Sequence, residues 1–402
     1  MFKKIFFSMF FIVGLSACGD WPLGSSKSSG DSSTGNEQKN SENQKNSKNN
    51  RQSQAGSYNI AVAPGGGLNA YTSLYLSKKF EQAAGKKIPE LFDLYWGLSG
   101  GALAASLYMT GQGDKALENF KRDVDKAFPT KDSLITNAMP LLFGDQGQID
   151  ALKRLALDED GQRRQAFEKA LKANIGEKKF SDQGQDRFVF VASVDANPYC
   201  YGAPSIKLPQ ICSHRNPAGA RVIDGIVNSS NFQLSVSSLL GGFANLIPRD
   251  ITSLSLFKRQ ALTVAAKQVP IVDGFLIRKD LSDGNSPLPL VIDYLLQFKN
   301  QNNSEHNIVV FDNGSGSIAD YKNQKFRDDI GIKNGYAQIK SGGVVINIYL
   351  LDMNVTRAQF DSWIFDQSDK HWADAEQMVD QSVSGSIKQL FDRAIDAVKK
   401  NM

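Results

Sequence analysis

A mostly parallel α/β sheet is the fold class this sequence predicts, and two glycine clusters with their flanks predict it. Pro64-Gly65-Gly66-Gly67 and Gly97-Leu98-Ser99-Gly100-Gly101 each follow an apolar run that reads as a strand, and each opens a segment that reads as a helix. Two strand–glycine–helix units in succession form a βαβ crossover, which brings both glycine loops to the carboxyl edge of one sheet.

Each element follows from its residues. Tyr58 to Ala63 alternates and then runs apolar, as a buried parallel strand does. Leu68 to Ala84 carries Leu74, Leu76, Phe80 and Ala84 near helical spacing, with Gly85 as its stop. Leu91 to Trp96 reads as the second strand, and Ala102 to Met109 is a strong helix former with a small-residue first turn. Gly161 to Ala173 is a mixed-charge helix with a solvated face. Val269 to Val272 is an apolar strand that ends in Asp273-Gly274. Leu234 to Leu262 is apolar enough for either a core helix pair or a lid over the site. Gly343 to Leu351 is a buried strand candidate, and Met378 to Met402 reads as one closing amphipathic helix.

The second cluster fits G-x-S-x-G, a nucleophile elbow, with Gly97 and Gly101 where a Cβ would obstruct the strand-to-helix turn and Ser99 lifted above the sheet. With 34 glycines in 402 residues, the bare pattern arises by chance in roughly one such chain of three or four, so the flanks carry its weight. Gly65, Gly66 and Gly67 supply backbone N–H groups suited to an oxyanion. Neither a P-loop nor a G-x-G-x-x-G is present to favour a nucleotide. A triad base would come from His214, His306 or His371. His306 follows Asp273 and so fits the Ser-Asp-His order of an α/β-hydrolase, but its neighbours Asn302, Asn303, Ser304 and Glu305 read as a polar surface loop. Asp273, closing an apolar strand, is the better partner for Ser99; Asp224 and Asp283 also precede a glycine and compete with it.

With these pieces in chain order, the sequence resembles a patatin-like phospholipase. The resemblance covers roughly residues 58 to 317 and extends to Arg187 to Asp195 as the family's central strand, Asn228-Ser229-Ser230, Asn285-Ser286-Pro287, and Ile308 to Ser317, ending Asp312-Asn313-Gly314-Ser315-Gly316-Ser317, as a late strand and its glycine turn. It implies a three-layer αβα sandwich, a Ser99–Asp273 dyad without histidine, an oxyanion hole at Gly65, Gly66 and Gly67, a lipid acyl ester as substrate, and neither metal nor other cofactor. The sequence departs from the family pattern D-G-G-G-x-R/K-G at Pro64, Asn69 and Ala70, and from Asp-Gly-Gly or Asp-Gly-Ala at Phe275. A positive charge beside the oxyanion is lost, and a catalytically inactive surface lipoprotein on the same scaffold is one alternative. The Ser99–Asp273–His306 triad is the other. In a dyad the aspartate, with a free pKa near 4, serves as base only in a dry site, for which Tyr95, Trp96 and Phe275 are candidate walls or core residues.

The ends of the chain add a location. Residues 1–17 read as a signal peptide, with Lys3 and Lys4 before a short apolar run, and Leu15-Ser16-Ala17-Cys18 resembles a bacterial lipobox that places lipid on Cys18. Residues 18–56 form a Ser/Asn-rich tether too polar to fold, and 57–402 form the hydrolase domain. This organisation implies the bacterial cell envelope, inner or outer membrane, with a membrane lipid as substrate. Cys200 and Cys212 then remain as a disulfide candidate or as two thiols. A formal net charge of +4 gives no argument for nucleic acid; no C-x-x-C or histidine cluster suggests a metal; a protein partner or activator is left open.

Overall fold

A computed structural model of the protein describes residues 56–109, 115–127, 162–182, 184, 187–194, 197–212, 214–217, 219–230, 272–273, 286–298, 304–314, 326–363 and 366–402. Cys18, the signal and tether segments, Leu234 to Leu262, Phe275 and Asp283 lie outside the described residues.

The chain enters the sheet through β1 (Asn59–Ala63), whose residues are all buried. After a 3-10 turn at Gly67–Asn69, α1 (Ala70–Ala84) runs to Gly85, whose left-handed φ of 67° ends the helix as the sequence suggests. A short helix α2 (Ile88–Leu91) then occupies the start of the expected second strand. Pro89 in its first turn suits a helix start, and β2 (Leu94–Leu98) begins only after Asp93, whose carboxylate accepts the Asn59 N–H at 2.8 Å. The helix α3 (Gly100–Met109) starts directly from the elbow, followed by α4 (Ala116–Ala127) and α5 (Gln162–Ile175). Phe167, Leu171 and Ile175 bury one side of α5 and leave charged residues outward.

The remaining elements are β3 (Phe188–Val194), β4 (Asn197–Gly202), β5 (His214–Arg215), α6 (Val222–Ser229), β6 (Val272–Asp273), α7 (Leu288–Leu296), β7 (Ser304–Phe311), β8 (Tyr336–Ser341), β9 (Val344–Leu351), α8 (Arg357–Trp363), α9 (Asp369–Ser384) and α10 (Lys388–Lys400). The expected single closing helix is two helices, because the chain turns at Gly385 between α9 and α10.

Nine strands form one sheet in the order β5-β4-β3-β2-β1-β7-β9-β8, with β6 paired to β3. The centre, from β3 through β9, is parallel; β4 and β6 join β3, and β8 joins β9, antiparallel, while β5 pairs β4 in parallel. Helices cover both faces, so the expected αβα sandwich with a mostly parallel sheet is what the chain forms. On one face Tyr95 stacks on Phe311 and its hydroxyl lies 3.0 Å from that of Ser77 of α1, while Phe391 of α10 packs edge-on against Phe80. On the other, Trp96 meets Tyr294 of α7. Tyr95 and Trp96 are therefore core residues on opposite faces rather than walls of a site.

Candidate functional site

Ser99 is the first residue past β2, and its backbone carries a φ of 54°. That left-handed conformation is rare for a residue with a side chain and costs on the order of 1–3 kcal/mol. It is the geometry a nucleophile elbow requires. The turn is tight because the two glycine loops press together. A Cβ on Gly101 would lie 2.2 Å from the Ala63 carbonyl oxygen, and one on Gly97 would lie 2.6 Å from the Ala102 Cα. Both sequence-predicted elbow glycines thus stand where only hydrogen fits.

The first loop is braced from two sides. The Asn313 side-chain amide, at the end of β7, donates to the carbonyls of Pro64 (3.3 Å) and Gly65 (3.0 Å). The Phe360 ring of α8 lies over Gly66, close enough that a Cβ there would sit 2.9 Å from it, and Gly66 has a φ of 144°. Among the described residues no acceptor takes the N–H of Gly66 or Gly67. Those two donors, with the first-turn N–H groups of α3 at Gly100 and Gly101, border the elbow. Asn69, at the position of the lost basic residue, is fully buried and donates from Nδ2 to the Phe360 carbonyl at 3.0 Å. It ties α8 down on the loop and carries no charge to an oxyanion.

Ser99 itself is 2% exposed. Its N–H donates to Ser229 Oγ at 2.9 Å, and its carbonyl accepts from Ser230 Oγ at 2.7 Å. Ser229 Oγ–H in turn donates a hydrogen bond to the Val191 carbonyl of β3 at 2.7 Å.

The backbone of Asp273 comes to the same place. In β3, Val191 is opposite Leu98 of β2, and the next residue, Ala192, is opposite Asp273. The other edge of β3 is taken at Ala192 and Ser193 by Tyr199 and Pro198 of β4, so β6 lies on the β2 edge. It fills the position β2 vacates when the chain turns at Ser99. Leu98 and Asp273 are therefore one rung apart on β3, about 3.3 Å along the strand. Asp224 is instead the N3 residue of α6, paired to Arg221.

His306 is not a surface residue and not at this edge. It is fully buried, accepting the Tyr58 N–H on Nδ1 at 3.0 Å, with Nε2 2.9 Å from Ser304 Oγ. Burial lowers its pKa to about 4 and keeps it neutral. By register it is level with residue 58 of the first strand, whereas Ser99 is level with residue 65, about 23 Å away along the strands. The triad alternative through His306 fails on this distance. His371 is buried in α9 against Trp363 and Trp372.

Cys200 and Cys212 form a disulfide, which resolves the sequence alternative in favour of the bond. Among the described residues no group of three or more His, Cys, Asp or Glu is arranged for a metal, and no helix is long and apolar enough to cross a membrane. Sequence reasoning missed the positions of Asn313 and Phe360. Asn313 was visible only as part of a glycine turn, and Phe360 lies beyond the span of the family resemblance.

No protein-family model matches the sequence, and none of the curated proteins does. Among solved structures, the chain is similar to human GIVD cytosolic phospholipase A2 in complex with methyl γ-linolenyl fluorophosphonate: 13% identity, TM-score 0.41, 85% of this chain and 60% of that one. A second structure of the human enzyme gives 11% identity and a TM-score of 0.41, over 86% and 61%. The chain thus spans about three fifths of the length of these structures.

Proposed function

We propose that the protein is a serine-dependent lipid acyl hydrolase of the patatin-like kind, with Ser99 as nucleophile, Asp273 as base and the N–H groups of Gly65, Gly66 and Gly67 as oxyanion donors. The observation that carries this reading is the backbone arrangement at the carboxyl edge. A left-handed serine, a glycine loop pressed on it and an aspartate one rung away meet there.

The chemistry runs in two balanced steps. The Asp273 carboxylate takes the Ser99 hydroxyl proton as Oγ bonds to the ester carbonyl carbon, and the carbonyl oxygen becomes an oxyanion facing the loop N–H groups. Collapse expels the alcohol, which takes the proton from Asp273. Water then attacks the acyl-enzyme, gives its proton to the same carboxylate, and releases the fatty acid with Ser99 restored. A phospholipid in a membrane is the substrate that suits lipid attachment at Cys18, and a disulfide suits the oxidising side of the cell envelope.

The test is fatty-acid release from mixed phospholipid vesicles by the full chain, beside Ser99→Ala and Asp273→Asn. A fatty-chain fluorophosphonate, the inhibitor class bound to the human phospholipase, checks for covalent capture of Ser99. Loss of release in both variants with folds intact by circular dichroism supports the dyad. Release that survives Asp273→Asn rejects Asp273 as the base, and a wild type that neither turns over nor is labelled rejects the enzyme in favour of an inactive scaffold.

A further inference from the structure

The nucleophile's peptide groups are held by side chains from one helix end. The Ser99 N–H goes to Ser229 Oγ and the Ser99 carbonyl receives Ser230 Oγ–H, at 2.9 and 2.7 Å. Both hydroxyls are buried, Ser229 at 0% and Ser230 at 4% exposure. Neither bond belongs to a regular ladder. The pairing of β2 with β3 ends at Leu98, so the left-handed turn takes the Ser99 N–H out of the strand pattern. A buried N–H without an acceptor costs about 1–3 kcal/mol; the Ser99 carbonyl also takes the Ala102 N–H at 2.9 Å, so Ser230 Oγ–H is its second donor and ties the α3 start to α6.

The helix that supplies these hydroxyls is itself fixed. At Gly225, α6 approaches the sheet so closely that a Cβ would meet Phe180, Phe190 and Tyr201 at 2.8 to 3.0 Å. Asn228 Nδ2 donates to the Tyr201 hydroxyl at 2.6 Å, and Ser229 Oγ–H is anchored on the Val191 carbonyl, the residue opposite Leu98. The same helix packs against β6, which carries Asp273. One rigid element therefore touches both the turn that carries Ser99 and the strand that carries Asp273.

We propose that Ser229 and Ser230 are positioning residues for the nucleophile: a paired hydroxyl clamp that holds Ser99 in its left-handed conformation and sets its register against the Asp273 strand. The inference rests on the acyl-hydrolase reading above. It adds that catalytic alignment is set from α6, through two groups that never touch substrate. A misplacement of about 1 Å can cost on the order of 100-fold in rate, so the clamp acts on kcat and leaves lipid binding nearly unchanged.

The experiment uses the full chain with Ser229→Ala, Ser229→Cys, Ser230→Ala and Ser230→Thr. Active sites are titrated with a fatty-chain fluorophosphonate, so that kcat is counted per competent site, and thermal midpoints are recorded alongside. Partial unfolding lowers the titrated fraction, whereas misalignment lowers kcat per titrated site. The expected result is a roughly 10- to 100-fold fall in kcat per site for both alanine variants and for Ser229→Cys, with KM within about twofold. Ser230→Thr, which keeps the donor, recovers most of the rate. A kcat per site within twofold of wild type in the alanine variants, whatever happens to the thermal midpoint, overturns the clamp while leaving the hydrolase standing. A wild type that the fluorophosphonate does not label at Ser99 overturns the hydrolase, and the clamp with it.

Discussion

The two ends of the parallel sheet are built differently. At the amino end, three asparagines on adjacent strands face each other across the rungs: Asn59 opposite Asn307, and Asn307 opposite Asn347. Asn307 donates to Asn59 Oδ1 and to the Ala397 carbonyl, Asn59 donates to the Leu91 and Val398 carbonyls, and Asn347 donates to Asn307 Oδ1. Among the described residues there, only glycines have a left-handed backbone, and His306 sits neutral between the Tyr58 N–H and Ser304 Oγ. At the carboxyl end, Ser99 is held at a φ of 54°, glycines stand where no Cβ fits, and N–H groups of Gly66 and Gly67 take no acceptor among the described residues. One end spends its polar groups on internal bonds and the other leaves them available. Backbone donors without an acceptor among the described residues and a strained turn lower stability, so their position is a pointer to chemistry.

Substitutions at each end test that contrast, and the largest effect belongs to the reactive edge. Ser99→Ala is expected to lower lipid hydrolysis by roughly 10⁴-fold or more, while His306→Asn stays within twofold; vesicle assays on both variants measure it. A comparable loss in His306→Asn would break the assignment of roles to the two ends. Next comes Gly101→Ala, whose new methyl would meet the Ala63 and Pro64 carbonyls at 2.2 and 2.5 Å. It should destabilise by about 3 kcal/mol, read in a denaturant melt, and reduce activity because the loops are forced apart.

At the amino end, Asn307→Leu removes the donor to Asn59 Oδ1 and to the Ala397 carbonyl. A stability loss of about 2–4 kcal/mol is expected, with kcat per titrated site unchanged. A drop in kcat would mean the two ends are coupled. The acid response sharpens the same point. His306 has a folded pKa of about 4 against 6.5 when free, so the unfolded chain binds the extra proton between those values. Its contribution is complete above pH 6.5 and is lost as pH falls toward 4, in all about 3 kcal/mol. Thermal midpoints from pH 7 to 4.5 should fall less steeply in His306→Asn than in wild type. The smallest effect is Ser99→Gly, which relieves the left-handed turn and should stabilise the inactive protein by about 1 kcal/mol.

How much of this was legible in the sequence follows the range of the forces. The strand–glycine–helix units were legible because their signals are local: apolar runs, a Gly85 stop, a G-x-S-x-G. The disulfide was legible as one alternative, from the two cysteines left once Cys18 is assigned to lipid. Misread elements lie where tertiary packing overrides a local pattern. Pro89 starts a helical turn that takes Leu91, the first residue of an apolar run, and His306 looks solvated among polar neighbours yet is roofed by Tyr58 and Phe298. Ser229, Ser230, Asn313 and Phe360 could not be assigned their roles, because each acts on residues more than a hundred positions away and no spacing rule reaches that far.

The Asn59 amide to the Val398 carbonyl, 2.9 Å across a separation of 339 residues, has a consequence for the order of events. The first strand of the sheet is finished by the last helix of the chain. Until α10 has been made, the amino-terminal half waits with the Asn59 bond to that helix unmade and its face toward α10 uncovered. Closure of the sheet therefore cannot precede synthesis of a segment more than three hundred residues further along the chain.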